Sequence, residues 1–79
     1  MPIKLLFFAQ SADWVGAKDM NYEMPTPTTV EKLLSRQELL ALKEHLKILR
    51  IAVNQEFADG NTLVRDGDEV AFLPPVSGG

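Results

Sequence analysis

The chain opens with a run that alternates only in part, Pro2-Ile3-Lys4-Leu5-Leu6-Phe7-Phe8-Ala9-Gln10. It is dense in strand formers, and in a strand alternate side chains share a face. Ile3, Leu5, Phe7 and Ala9 then lie on one face and Lys4, Leu6, Phe8 and Gln10 on the other. Lys4 and Gln10 mark the second face as the wetter one, which leaves Leu6 and Phe8 as apolar residues directed at solvent. Ser11 to Gly16 predicts a short helical turn, capped by Ser11 and ended by Gly16. Trp14 within it is expected at the edge of the core. Met20, Tyr22 and Met24 alternate through residues 19–24, a second strand paired with the first across a long connection. Pro25 and Pro27 then break the chain.

Thr28-Thr29-Val30-Glu31 matches a capping box, threonine followed three residues on by glutamate. Val30, Leu33 and Leu34 follow at i, i+3, i+4, and Leu39, Leu42 and Leu46 continue the apolar face in a second helical piece after a bend. His45 stands among Lys43, Glu44 and Lys47 on a solvated surface and takes no role. Residues 47–55 predict a third strand with Leu49, Ile51 and Val53 inward and Arg50 and Asn54 outward. Asp59-Gly60-Asn61 and Arg65-Asp66-Gly67-Asp68 are turn signals, with Gly67 expected at positive φ and the aspartates as turn acceptors. Glu69 to Leu73 is the last strand, Val70 and Phe72 inward, Glu69, Ala71 and Leu73 outward.

The order β, β, α, β, β predicts an α+β domain of the ubiquitin-like β-grasp pattern: a mixed sheet of four to five strands with one main helix on one face. The domain spans residues 1–74 and an extended tail residues 75–79. In this arrangement the first and last strands are adjacent and parallel. Leu6, Phe8 and Leu73 then fall together as one exposed apolar patch, with Phe57 a fourth member, and such a patch marks a binding surface.

Composition narrows the function. Eight Lys and Arg against eleven Asp and Glu leave a net charge of −3 in 79 residues. That balance provides no basic footprint for nucleic acid. With no cysteine and one histidine, the chain is expected to hold no metal. No apolar run reaches the roughly 20 residues of a membrane span, and Leu5 to Ala9 is too short for a secretory signal core. A cytoplasmic protein without membrane contact is expected. A domain this small has little room for a deep pocket of its own, which favours a carrier or binding module that holds no cofactor over a self-contained enzyme.

The most informative segment is Pro74-Pro75-Val76-Ser77-Gly78-Gly79. The prolines keep its base extended, and the glycines leave its end thin enough to enter a narrow channel on another protein. A terminal carboxylate is ionised at neutral pH and repels nucleophiles. It reacts only after activation, as an acyl adenylate, and the chain has neither a phosphate-binding loop nor a general base for that step. It is expected to be the substrate of an adenylating partner that consumes ATP. The acyl group then passes to sulfur, as a thiocarboxylate, or to an amine, as an isopeptide.

The run Asp66-Gly67-Asp68-Glu69-Val70-Ala71-Phe72-Leu73-Pro74-Pro75-Val76-Ser77-Gly78-Gly79, with Lys4 to Ala9 and Ala52-Val53-Asn54-Gln55 in the same order, resembles the small-subunit family of molybdopterin synthase (the MoaD type). The resemblance implies a non-catalytic sulfur carrier in molybdenum cofactor biosynthesis. Gly79 would be adenylated by a ubiquitin-activating-like adenylyltransferase and become the thiocarboxylate, with Gly78 as its required neighbour. Pro74, Pro75, Val76 and Ser77 would thread into the large catalytic subunit, which passes the sulfur to cyclic pyranopterin monophosphate. The family also implies a heterotetramer. The alternatives are a carrier for thiamine or another thiolation pathway and a ubiquitin-like modifier of lysines.

Overall fold

The computed structural model describes residues 1–75; Val76, Ser77, Gly78 and Gly79, on which the tail chemistry falls, lie outside the described residues. The sheet is built from β1 (Ile3–Phe7), β2 (Asp19–Tyr22), β4 (Arg50–Val53), β5 (Glu56–Ala58) and β7 (Glu69–Leu73). β3 (Thr28–Thr29) and β6 (Leu63–Val64) form a separate two-stranded ladder. The order across the main sheet is β2-β1-β7-β4-β5. β1 and β7 are parallel, Leu5 opposite Val70 and Phe7 opposite Phe72, and the other pairings are antiparallel.

The strand parity is as the alternation predicts. Ile3, Leu5, Phe7, Val70 and Phe72 are buried on one face, joined by Tyr22 and Val53. Against that face pack α1 (Gln10–Val15), α2 (Val30–Leu34) and a 3₁₀ helix over Gln37–His45, through Val30, Leu33, Leu39 and Leu42. Trp14 packs against this core from α1 and stacks on His45, ring centroids 3.6 Å apart. Among the described residues no helix is long and apolar enough to cross a membrane.

Several details differ from the alternation and spacing. β1 stops at Phe7, and Ala9, expected on the inner face, is exposed with φ 50. The helix cap is Thr29, whose hydroxyl accepts the Lys32 N–H at 3.2 Å. The capping-box pair Thr28 and Glu31 is therefore one residue out of phase. The second helical piece after the bend is present, as a 3₁₀ helix. Ser35 turns its hydroxyl back onto the Lys32 carbonyl at 2.7 Å, a local bond that competes with the helical ladder. Arg36 is then extended at φ −70, ψ 145 before the 3₁₀ helix begins. Leu46, expected in the core, is 36% exposed.

The third strand is shorter than residues 47–55 and turns back as a hairpin. Asn54 and Gln55 have φ 51 and 70, the left-handed pair that joins antiparallel strands in register with their twist. Asn54 is held there from three sides. Its N–H donates to Glu69 O at 2.8 Å, its Oδ1 accepts the Glu69 N–H at 3.0 Å and its Nδ2 donates to Asp68 Oδ1 at 3.1 Å. Asp68 Oδ2 accepts the Arg65 N–H at 2.8 Å, so this aspartate closes the turn before β7.

Gly67 has φ 81, and a Cβ added there would meet nothing within 4 Å. A Gly67→Val substitution therefore acts through the backbone alone. It is expected to lower stability by about 1 kcal/mol or more, read as an earlier urea midpoint with unchanged slope.

Candidate functional site

Among the described residues no helix packs on the outer face of the sheet. Cross-strand register places Leu6 beside Ala71, Ala71 beside Ala52 and Ala52 beside Phe57. This is one row across β1, β7, β4 and β5, large at its ends and small in the middle. The two alanines are the floor of a concavity of about 280 Å³, and Leu6, Phe8, Phe57 and Leu73 are its walls. Phe8 is 47% and Phe57 71% exposed. The structure thus brings together all four apolar residues that the sequence placed on the solvent side. Glu69 and Gln55 supply polar edges. Arg50 lies over the Phe57 ring at 5.3 Å from its centroid and stands opposite Leu73. Ala52 and Ala71 as floor, and Arg50 beside the tail, were not singled out from sequence. The signal for them lay in the parity of β4 and β7, once their register was known.

The base of the tail adjoins this concavity. Phe72 stacks its ring on Phe7, centroids 5.1 Å apart and planes 9° from parallel, and its carbonyl accepts the Phe8 N–H at 3.2 Å. Pro74 is half-buried and Pro75 exposed. Val76, Ser77, Gly78 and Gly79 lie outside the described residues. Ser11 is not the cap predicted for the short helix. The cap position is Ala9, which has no side-chain bond to offer, and Ser11 is buried inside α1 with its hydroxyl on Phe8 O at 2.6 Å and Phe72 O at 3.2 Å.

Polar chemistry elsewhere is modest. The Tyr22 hydroxyl donates to Glu38 Oε1 at 2.7 Å and accepts from Arg36 Nε at 2.8 Å. The hydrogen bond from Tyr22 holds the Glu38 carboxyl below the usual carboxylate range, and the same hydroxyl raises Arg36. Asp66 is likewise held low, first by the Thr26 hydroxyl at 2.7 Å and then by the chain's amino terminus. The Glu38 and Asp66 carboxylates are solvent-exposed, and these bonds tie segments of the fold together. Among the described residues no three of His, Asp and Glu gather as a metal cluster would require.

A β-grasp sheet with an apolar concavity at the root of its C-terminal segment defines a small ubiquitin-like domain. Solved structures place it more closely. SAMP1 from Haloferax volcanii superposes with a TM-score of 0.87 at 25% identity, all of both chains covered. A chain of the protein–protein complex of subunits 1 and 2 of the molybdopterin-converting factor from Helicobacter pylori superposes at 0.70 with 31% identity, again over all of both chains. The ThiS family model matches residues 5–79. The molybdopterin synthase sulfur carrier subunit of Escherichia coli is 42% identical over 98% of this chain and 99% of that protein. That of Chlamydomonas reinhardtii is 36% identical over all of both. The chain belongs to the ThiS family, on the branch of the molybdopterin synthase sulfur carrier subunits.

Proposed function

We propose that this protein is the non-catalytic sulfur-carrier subunit of a molybdopterin synthase, with the α-carboxyl of Gly79 as the group that carries sulfur. The observation that carries this reading is full-length similarity to curated sulfur carrier subunits, with a family match that reaches Gly78-Gly79. The steps follow from carboxylate chemistry. A carboxylate oxygen of Gly79 attacks the α-phosphorus of ATP on an adenylyltransferase, and pyrophosphate leaves. The outer sulfur of a donor persulfide then displaces AMP from the acyl adenylate to give an acyl disulfide, and a second thiol reduces its S–S bond, leaving the thiocarboxylate on Gly79 and a disulfide on the donor side. In the synthase the thiocarboxylate sulfur bonds to a carbon of the pterin precursor as an oxygen leaving group departs, and water cleaves the resulting thioester, which leaves the sulfur on the pterin and returns the Gly79 carboxylate. The chain supplies the acyl carrier and its docking face. The large subunit supplies the pocket and the catalytic groups, and the reaction runs in the cytoplasm.

The test is intact mass. With an adenylyltransferase, ATP and a sulfur donor, the protein is expected to gain the mass of one sulfur in exchange for one oxygen, localised to the last residue. An unchanged mass under conditions that charge the Escherichia coli relative would sink the reading. The fit to SAMP1, named in a second solved structure as a small archaeal modifier protein, favours a second use of the same terminus, conjugation to lysines. Slower-migrating adducts on denaturing gels of cell extract would reveal it, and a clean gel would remove it.

A further inference from the structure

Ser11 is 0% exposed although α1, which contains it, is a short surface helix. Its hydroxyl proton is shared between the carbonyls of Phe8, at 2.6 Å, and Phe72, at 3.2 Å. Both carbonyls have a second donor. Phe8 O accepts the Ser11 N–H at 3.0 Å and Phe72 O accepts the Phe8 N–H at 3.2 Å. The bond from Ser11 N–H to Phe8 O closes a four-residue turn, Phe8-Ala9-Gln10-Ser11. Ala9 sits in it at φ 50, ψ −132, close to the first central position of a type II′ turn, which glycine ordinarily fills. An alanine persists in such a conformation when the groups around it hold it there.

What this turn holds is the root of the tail. β1 has ended at Phe7, so on that side of β7 the groups meeting Phe72 O are the Phe8 N–H and the Ser11 hydroxyl. On the other side Leu73 is opposite Arg50. Pro74 and Pro75 have no N–H to offer a neighbouring strand. The direction in which the chain leaves the sheet is therefore set at Phe72 and Leu73. The same turn carries the Phe8 side chain into the concavity. One short segment thus joins the docking face to the base of the tail.

We infer that Ser11 is a positioning residue for sulfur transfer. Its hydroxyl locks the strained Phe8–Ser11 turn onto Phe72 and so fixes the angle between the docking face and the tail. The inference rests on the sulfur-carrier reading. Seven residues follow Phe72, the last of them Gly79, a span of at most roughly 23 Å. Pro74 and Pro75, the described start of the tail, follow Leu73 directly, so a change of angle at Phe72 is passed on to them.

The experiment charges wild type and Ser11→Ala as thiocarboxylates, saturates each with the large subunit, and follows single-turnover sulfur transfer to the pterin precursor. Amide exchange at Phe8 and Leu5 is measured on the free proteins. Ser11→Ala is expected to slow the first-order transfer step about tenfold or more with affinity for the large subunit within about twofold. Exchange at the Phe8 amide is expected to quicken while Leu5 is unaffected. A role in stability alone would quicken exchange throughout the domain and leave transfer in the folded complex as it was. Transfer within about twofold of wild type, or unchanged exchange at Phe8, overturns the inference. Should the variant not fold, wild-type exchange decides: a Phe8 amide protected like Leu5 supports the lock, and one exchanging as in a free chain refutes it. Failure of wild type itself to transfer sulfur would refute the carrier reading, and exchange at Phe8 would still report on the lock.

Discussion

A chain shortened by Gly79 is expected to lose sulfur acceptance and transfer by about two orders of magnitude or more, with its thermal melt unchanged. The remaining carboxylate, on Gly78, falls about 3.3 Å short of the position the partner enzymes address. Ser77 is the nearest side-chain oxygen and has no base beside it in the sequence, so the chain offers no second acceptor. One residue appended after Gly79 is expected to have the same effect, because the reacting carboxylate becomes an amide. The measurement is intact mass after charging, paired with a melt. A truncated chain that still gains sulfur would show that the acceptor lies elsewhere.

Phe8→Ala is expected to weaken binding to the large subunit by more than about 1 kcal/mol, roughly fivefold or more in Kd, without loss of fold. Phe8 is a wall of the concavity and is 47% exposed, so truncation removes contact area and empties no core site. Ile48 supplies the control. It is 53% exposed, comparable to Phe8, and does not line the concavity; the neighbouring groove that it lines meets the concavity only at Phe57. Ile48→Ala is expected to leave the affinity within about twofold, as for a residue outside the contact. Calorimetric titration of each variant decides. Equal effects from both substitutions would mean that general surface apolarity, rather than this concavity, drives association.

The central strands were legible because their two faces differ sharply. Ile3, Leu5 and Phe7 alternate with Lys4 and an outward Leu6, and Val70 and Phe72 with Glu69, so parity alone assigned the core and left Leu6 and Leu73 outside. The parallel pairing of β1 with β7 turned those leftovers into one patch. The helical layer was less legible because α and 3₁₀ helices share the i, i+3 spacing. Leu39 and Leu42 satisfy both and are buried. At three residues per turn, however, a position at i+7 falls about a third of a turn off the face. Leu46, just past the 3₁₀ helix, is accordingly exposed. The β4–β5 hairpin was hidden because Asn-Gln is not a usual left-handed pair. It is stabilised by Asp68 and Glu69, fourteen and fifteen residues away. Ser11 was misassigned for a related reason. A serine before a short helix signals a cap, and one of its two acceptors, Phe72 O, is 61 positions along the chain.

The parallel pairing of β1 with β7 has a consequence for how the protein is made. Lys4 is opposite Glu69, so the central strand, β7, and its interior neighbour β1 are the last and the first of the sheet to leave the ribosome. Until residues 69–73 are synthesised, β1 has β2 on one side and nothing on the other, and β4 and β5 are a hairpin without a sheet to join. Contacts of such long sequence separation are closed late and slowly, because chain entropy must be lost before any burial compensates it. Nascent and prematurely terminated chains therefore present no assembled concavity. An activating enzyme that recognises the folded face would ignore them, and quality control of the carrier would be built into the order of its strands.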